Sequence, residues 1–175
     1  MASKMIIREF QLDANKIWID IQSPSAAELD QFAESHKIHQ QNLKDCLESD
    51  HLPKFEDTEP LQFLITRVIV GNTREDHTVQ EISSKVAMFF DDNTLITVHR
   101  LPHDFIEDMI TRYIEPKKIK HPKDIAVKLI KGSLRSFERF TLTLNEQIDH
   151  IEDTIFIKTR KINTLQELYF LKRQS

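Results

Sequence analysis

The chain has 175 residues, 39% hydrophobic and 30% charged, which suits one soluble domain with a core and argues against disorder. Its net charge of -4 supplies no global basic field for nucleic acid, and two glycines, Gly71 and Gly132, cannot build a glycine-rich phosphate loop or dinucleotide turn. A single cysteine, Cys46, excludes an internal disulfide and every CxxC zinc arrangement, and fits a reducing compartment.

Met1 to Arg8 has neither the apolar core nor the cleavage pattern of a signal peptide. Ile17 to Ile21 alternates at strand period and stops at Ser23-Pro24-Ser25. Ser25-Ala26-Ala27-Glu28 is a capping box, so a helix is predicted to about Ser35 with Leu29, Phe32 and Ala33 inward. A second helix is predicted over about 39–48, with Leu43, Cys46 and Leu47 as its apolar stripe, and Pro53 stops it. Strands follow at 61–70, 81–90 and 94–99, the last two joined by the turn Asp91-Asp92-Asn93. Residues 71–80 read as a polar loop. From Pro102 the spacing of Phe105, Met109, Ile110 and Tyr113 turns helical.

The second part of the chain differs in kind. After the lysine-rich joint at 117–122, Ile130, Leu134, Phe137, Leu144, Ile148, Ile151 and Ile155 recur in heptad rhythm. A helix from about 122 to 158 would run roughly 55 Å at ~1.5 Å per residue, so it needs a partner helix. Thr164-Leu165-Gln166-Glu167 opens that partner with a second capping box, Leu168 and Leu171 continue it, and the chain ends at Ser175. An apolar helix ending without a cap reads as an engineered cut. The expected architecture is an α/β/α sandwich with a mixed, largely antiparallel sheet over 1–120, then long coiled-coil-like helices over 121–175. No stretch approaches the ~18 uninterrupted apolar residues of a membrane span.

No grouping of Ser, His and Asp suggests an activated nucleophile, so an enzyme is not expected. Lys117, Lys118, Lys120 and Lys123 read as a solvated joint, and Glu146, Asp149, Glu152 and Asp153 as a solvated helix face, though carboxylates also suit a hard divalent cation. His36 with His39, and His99 with His103, have spacings that could ligate zinc, but neither pair has a clear helical platform or a third ligand. They read as surface histidines.

Several segments in order resemble the cytoplasmic domain of the CorA family of divalent-cation transporters. Trp18-Ile19-Asp20 is similar to the family's "WI(D/N)", Ile38-His39 with Leu43 to Leu47 to "GIHPL..ED.L", and Pro53 to Glu56 to "RPK.E". Leu95 to His99 resembles a strand ending in "TvH", Ile148 to Asp153 resembles "eID.lEd.vf", and Leu171-Lys172-Arg173 resembles the "LKR" of a stalk helix. Gln40, Lys44 and Leu52 depart from the Pro, Glu and Arg that the family favours.

The resemblance implies a funnel-shaped homopentamer at the cell (inner) membrane, with this domain cytoplasmic and the membrane helices and Gly-Met-Asn pore signature beyond Ser175. It implies transport of Mg²⁺ and Co²⁺, with intracellular Mg²⁺ between neighbouring domains keeping the pore closed. A zinc-transporting relative and a soluble protein-interaction module with a helical arm are the alternatives. Asp45, from the "ED.L" helix, is the implied regulatory metal ligand and Glu48 a further one. The helix reading turns Asp45 outward with Asn42 and Glu48, opposite Leu43, Cys46 and Leu47. The chain by itself is expected as a monomer or small oligomer.

Overall fold

A computed structural model describes residues 5–36, 38–48, 50–70 and 79–157, together with Phe170 and Lys172 (the side chains of 79 and 155–157 aside). Six strands form one mixed sheet: β1 Ile6–Asp13, β2 Lys16–Gln22, β3 Lys54–Glu56, β4 Gln62–Ile69, β5 Ser83–Phe90 and β6 Thr94–His99. Their order is β1-β2-β6-β5-β4-β3. β2 and β6 run parallel, and every other neighbouring pair is antiparallel. The inner strands are apolar on both faces, because each face carries a helical layer.

Side-chain alternation divides the core in two. On one face Ile19, Ile21, Phe63, Ala87, Phe89 and Ile96 pack with Leu29 and Ala33 of α1 (Ala26–His36) and Leu43 of α2 (Gln40–Leu47). On the other, Trp18, Val86, Met88 and Leu95 meet Ile106 and Met109 of α4 (Asp104–Met109) and Ile125 and Leu129 of α5 (Pro122–Ile157). Trp18, Phe63 and Phe89 are fully enclosed, and burial of such side chains stabilises by about 1.5–3 kcal/mol each. A four-residue α3 (Val79–Ile82) leads into β5, and a π-helical turn (Ile110–Ile114) extends α4.

The predicted capping box forms: Ser25 N–H donates to Glu28 Oε2 at 2.9 Å and Glu28 N–H donates to Ser25 Oγ at 3.3 Å. Two edge strands, β1 and β3, were not among the predicted elements. β1 alternates half-buried and exposed residues, so only one face carries an apolar signal, and β3 is three residues long.

The long helix is present but docks on a different stripe from the one its heptads suggest. Its first turns use Ile125, Ala126, Leu129 and Ser133, while Leu134 stands 62% exposed. The reason is the sheet beneath: Ser133 Oγ meets Thr66 Oγ1 at 2.6 Å, Ser136 Oγ accepts from the Ile69 N–H at 3.0 Å, and Gly132 lets Phe105 approach. Further along, Leu144 and Ile151 are buried with Ile148 against them, in heptad register, and Phe140, outside that register, packs beside them. The helix expected from Thr164 lies outside the described residues, Phe170 and Lys172 excepted, as does 71–78 of the expected loop. Among the described residues no helix is long and apolar enough to cross a membrane.

Candidate functional site

The motifs on β2 and β6 meet because those strands pair in parallel, with Asp20 opposite Thr97. Trp18 Nε1 donates to Thr97 Oγ1 at 3.0 Å, and the Thr97 hydroxyl donates to Asp20 Oδ1 at 2.5 Å. Arg8 of β1 donates to Asp20 Oδ2 from Nη2 at 2.7 Å, and its Nη1 reaches Glu107 of α4 at 2.7 Å. His99 Nε2 lies 3.1 Å from Asp20 Oδ1 and its Nδ1 2.6 Å from the Leu101 carbonyl. With acceptors at both ring nitrogens, both positions donate only in the imidazolium form. Burial pushes the Asp20 carboxyl up, but bonds from His99, Thr97 and Arg8 outweigh it and hold the group below its ordinary range.

His99 and His103 are therefore buried, not on the surface as the sequence reading had them. Asp20 is the partner that makes burial of His99 tolerable, and it lies far away in sequence. His103 has no such partner: its Nε2 is buried without a hydrogen bond, and burial, then the neighbouring His99, pushes its pKa down to about 4. His36 is half-buried and stacks on Phe32, with ring centroids 3.9 Å apart, while His39 is exposed.

The second polar cluster surrounds Asp45, and its geometry overturns the predicted orientation for Asp45, Asn42 and Leu47, while Leu43 and Cys46 face inward and Glu48 outward as expected. Asp45 is only 4% exposed, Asn42 is buried beside it, and Leu47 stands 41% exposed. The cause is the basic groups that β3 and the residues before it bring to the carboxylate. Lys54 of β3 donates to Asp45 Oδ2 and, at 2.9 Å, to Glu56 Oε1, and His51 Nε2 lies 3.6 Å from Asp45 Oδ1. Burial would lower the Lys54 ammonium, but its bonds to Asp45 and Glu56 raise it above its ordinary value. Lys85 of β5 donates to the Asp45 and Glu48 carbonyls, closing the carboxyl end of α2. Cys46 lies between; burial pushes its thiol up to about 12, so it is protonated and unreactive.

The Glu48 side chain is exposed, so Asp45 and Glu48 occupy different surroundings. Among the described residues no three His, Cys, Asp or Glu side chains gather into a set that could hold a metal. Within one chain, the Asp45 carboxylate is already satisfied by basic groups. Glu146, Asp149, Glu152 and Asp153 are exposed along α5, and Lys117, Lys118, Lys120 and Lys123 are exposed at the joint, Lys123 meeting Asp92 at 2.6 Å.

These motifs, with the mixed sheet and the long helix, belong to a known class. A family model of CorA-like Mg²⁺ transporter proteins matches residues 13–175, and the chain belongs to that family, one of transporters rather than enzymes. The fold resembles the soluble domain of CorA from Methanocaldococcus jannaschii, at 19% identity and TM-score 0.69, covering 91% of this chain and 63% of that one. It resembles the complete CorA magnesium transporter of the same organism at 18% identity and TM-score 0.67, over 91% of this chain and 49% of the other. The ZntB cytoplasmic domain from Vibrio parahaemolyticus matches at 16% identity and TM-score 0.68, over 97% of this chain and 74% of that one. The chain thus spans about half the length of the complete CorA. Comparison with curated proteins finds no match.

Proposed function

We propose that the chain is the cytoplasmic, cation-sensing domain of a homopentameric membrane transporter that carries Mg²⁺ and Co²⁺. The single observation carrying this reading is the family match across residues 13–175. The sensing mechanism is a population shift, in which a divalent ion binds the closed arrangement of neighbouring domains more tightly than the open one.

Asp45 and Glu48 stay the proposed ligands, in a narrower form than the motif implied. Asp45 accepts an ion only where that ion displaces the Lys54 ammonium, so Lys54 competes with the cation for one carboxylate. Limited proteolysis across a Mg²⁺ titration tests this. Asp45→Asn should move the protection midpoint to higher Mg²⁺ and Lys54→Gln to lower, each by about tenfold, within the usual range of coupling energies. The same midpoint in wild type and Asp45→Asn would leave Asp45 a structural ion-pair partner.

A zinc-carrying function is the second reading, favoured by the 97% coverage against the ZntB cytoplasmic domain and by His51 beside Asp45. Zn²⁺ takes imidazole nitrogen readily, whereas Mg²⁺ keeps oxygen ligands and its own water. Protection by micromolar Zn²⁺ that His51→Gln removes would select zinc. Protection by Mg²⁺ that is indifferent to His51 would select magnesium.

A further inference from the structure

The two parallel strands send the chain to opposite faces of the sheet. β2 continues through Ser23 and Pro24 to α1, on the face holding Leu29 and Leu43, whereas β6 continues past His99 to α4, on the face holding Ile106 and Leu129. Neighbouring parallel strands whose connections diverge leave a crevice beyond their carboxyl ends, the place where open α/β sheets bind ligands. Here the two strand ends are stitched together by Ser23, held at φ 56°. Its N–H donates to the His99 carbonyl at 2.8 Å and its hydroxyl to the Arg100 carbonyl at 2.6 Å.

A cavity of about 400 Å³ opens at this point, walled by Pro24 after β2, Arg100 and Leu101 after β6, Ser84 and Lys85 of β5, and Cys46 of α2. That volume suits a ligand of metabolite size. The wall carries two permanent cations, Lys85 and Arg100, and two carboxylates, Asp50 and Glu81. Lys85 uses two of its three N–H donors on the carbonyls of Asp45 and Glu48, which leaves one for a guest. Arg100 is exposed at the wall, and its carbonyl, not its guanidinium, holds Ser23. The acidic wall residues Asp50 and Glu81 have partners of their own, and Asp50 lies in the field of Arg67.

We propose that this cavity binds a small organic anion, its phosphate or carboxylate group held between Lys85 and Arg100. The assignment is independent of which cation the protein senses or carries, and it does not use the Asp45 carboxylate. The test is calorimetric titration of the full chain at low ionic strength, once with inorganic phosphate and once with malonate. Saturable binding of at least one in the millimolar range is expected, and whichever binds identifies the favoured group. Arg100→Gln should weaken that binding about tenfold, the usual weight of one charge-assisted hydrogen bond, and Lys85→Gln should do the same. Lys85 also caps α2, so circular dichroism accompanies its variant, and Arg100→Gln decides if Lys85→Gln does not fold. No saturable heat from either anion, or an affinity unchanged by Arg100→Gln, would overturn the proposal.

Discussion

His103 and Asp20 face the same buried region and depend on pH in different windows. His103 is neutral in the fold, with a pKa near 4 against an ordinary 6.5. The unfolded chain therefore binds the extra proton first as pH falls. The contribution of His103 is full above about pH 6.5 and is lost progressively towards pH 4, by about 3 kcal/mol at most. The polar groups facing it, His99 and Asp20 with Arg8 and Glu107 behind, form one network, and Asp20 is held below its ordinary range. The stability Asp20 adds is present above its unfolded value near 3.8 and declines only at lower pH, so it does not overlap the His103 window near pH 6. Urea unfolding at pH 7 and pH 5 should show the loss in the wild type and a much smaller one in His103→Phe. An equal loss in both would mean that His103 gains a partner on protonation.

Among the elements, α5 shows how small residues set a helix in place. A Cβ on Gly132 would lie 2.8 Å from Phe105 Cδ2 and 3.2 Å from its Cγ, inside the ring's van der Waals envelope. Gly132 is therefore retained for close approach to α4, despite the ~1 kcal/mol a helical glycine costs. Gly132→Val should destabilise by about 1–3 kcal/mol through overpacking, measured by thermal or urea unfolding. A gain in stability would show that Phe105 can swing away freely. The neighbouring hydroxyls of Ser133 and Ser136 bond β4, which is why this stretch of the helix follows the sheet and not its own heptads.

At the scale of the whole molecule, the exposed apolar residues of α5 bear on assembly. Val127, Leu134 and Leu142 are 50%, 62% and 59% exposed, set seven and eight residues apart. They share one side of the helix about two turns apart, but exposed Lys131 and Glu138 stand between them, so they do not make the contiguous apolar patch that a stable interface needs. The chain alone should sediment as a monomer or small oligomer at micromolar concentration, which analytical ultracentrifugation can check. A stable pentamer would show that these side chains combine into a larger seam than their spacing suggests.

Local pattern was enough for the elements whose signal is local. The period-two run at Ile17 to Ile21, the Ser25–Glu28 capping box and the long apolar rhythm after Pro122 each determine a strand, a cap or a helix through neighbours a few residues away. The spaced motifs were likewise enough to identify the family. What the linear order could not express was pairing at a distance. Trp18 and Asp20 become one hydrogen-bonded unit with Thr97 and His99 only because β2 lies parallel to β6. Asp45 turns inward because Lys54 arrives from β3 with His51 beside it, so apolar spacing alone placed Leu43 and Cys46 correctly but misplaced Asp45, Asn42 and Leu47. A charged side chain can be buried wherever the fold supplies its counter-charge, and that counter-charge is a property of tertiary structure rather than of any window of sequence.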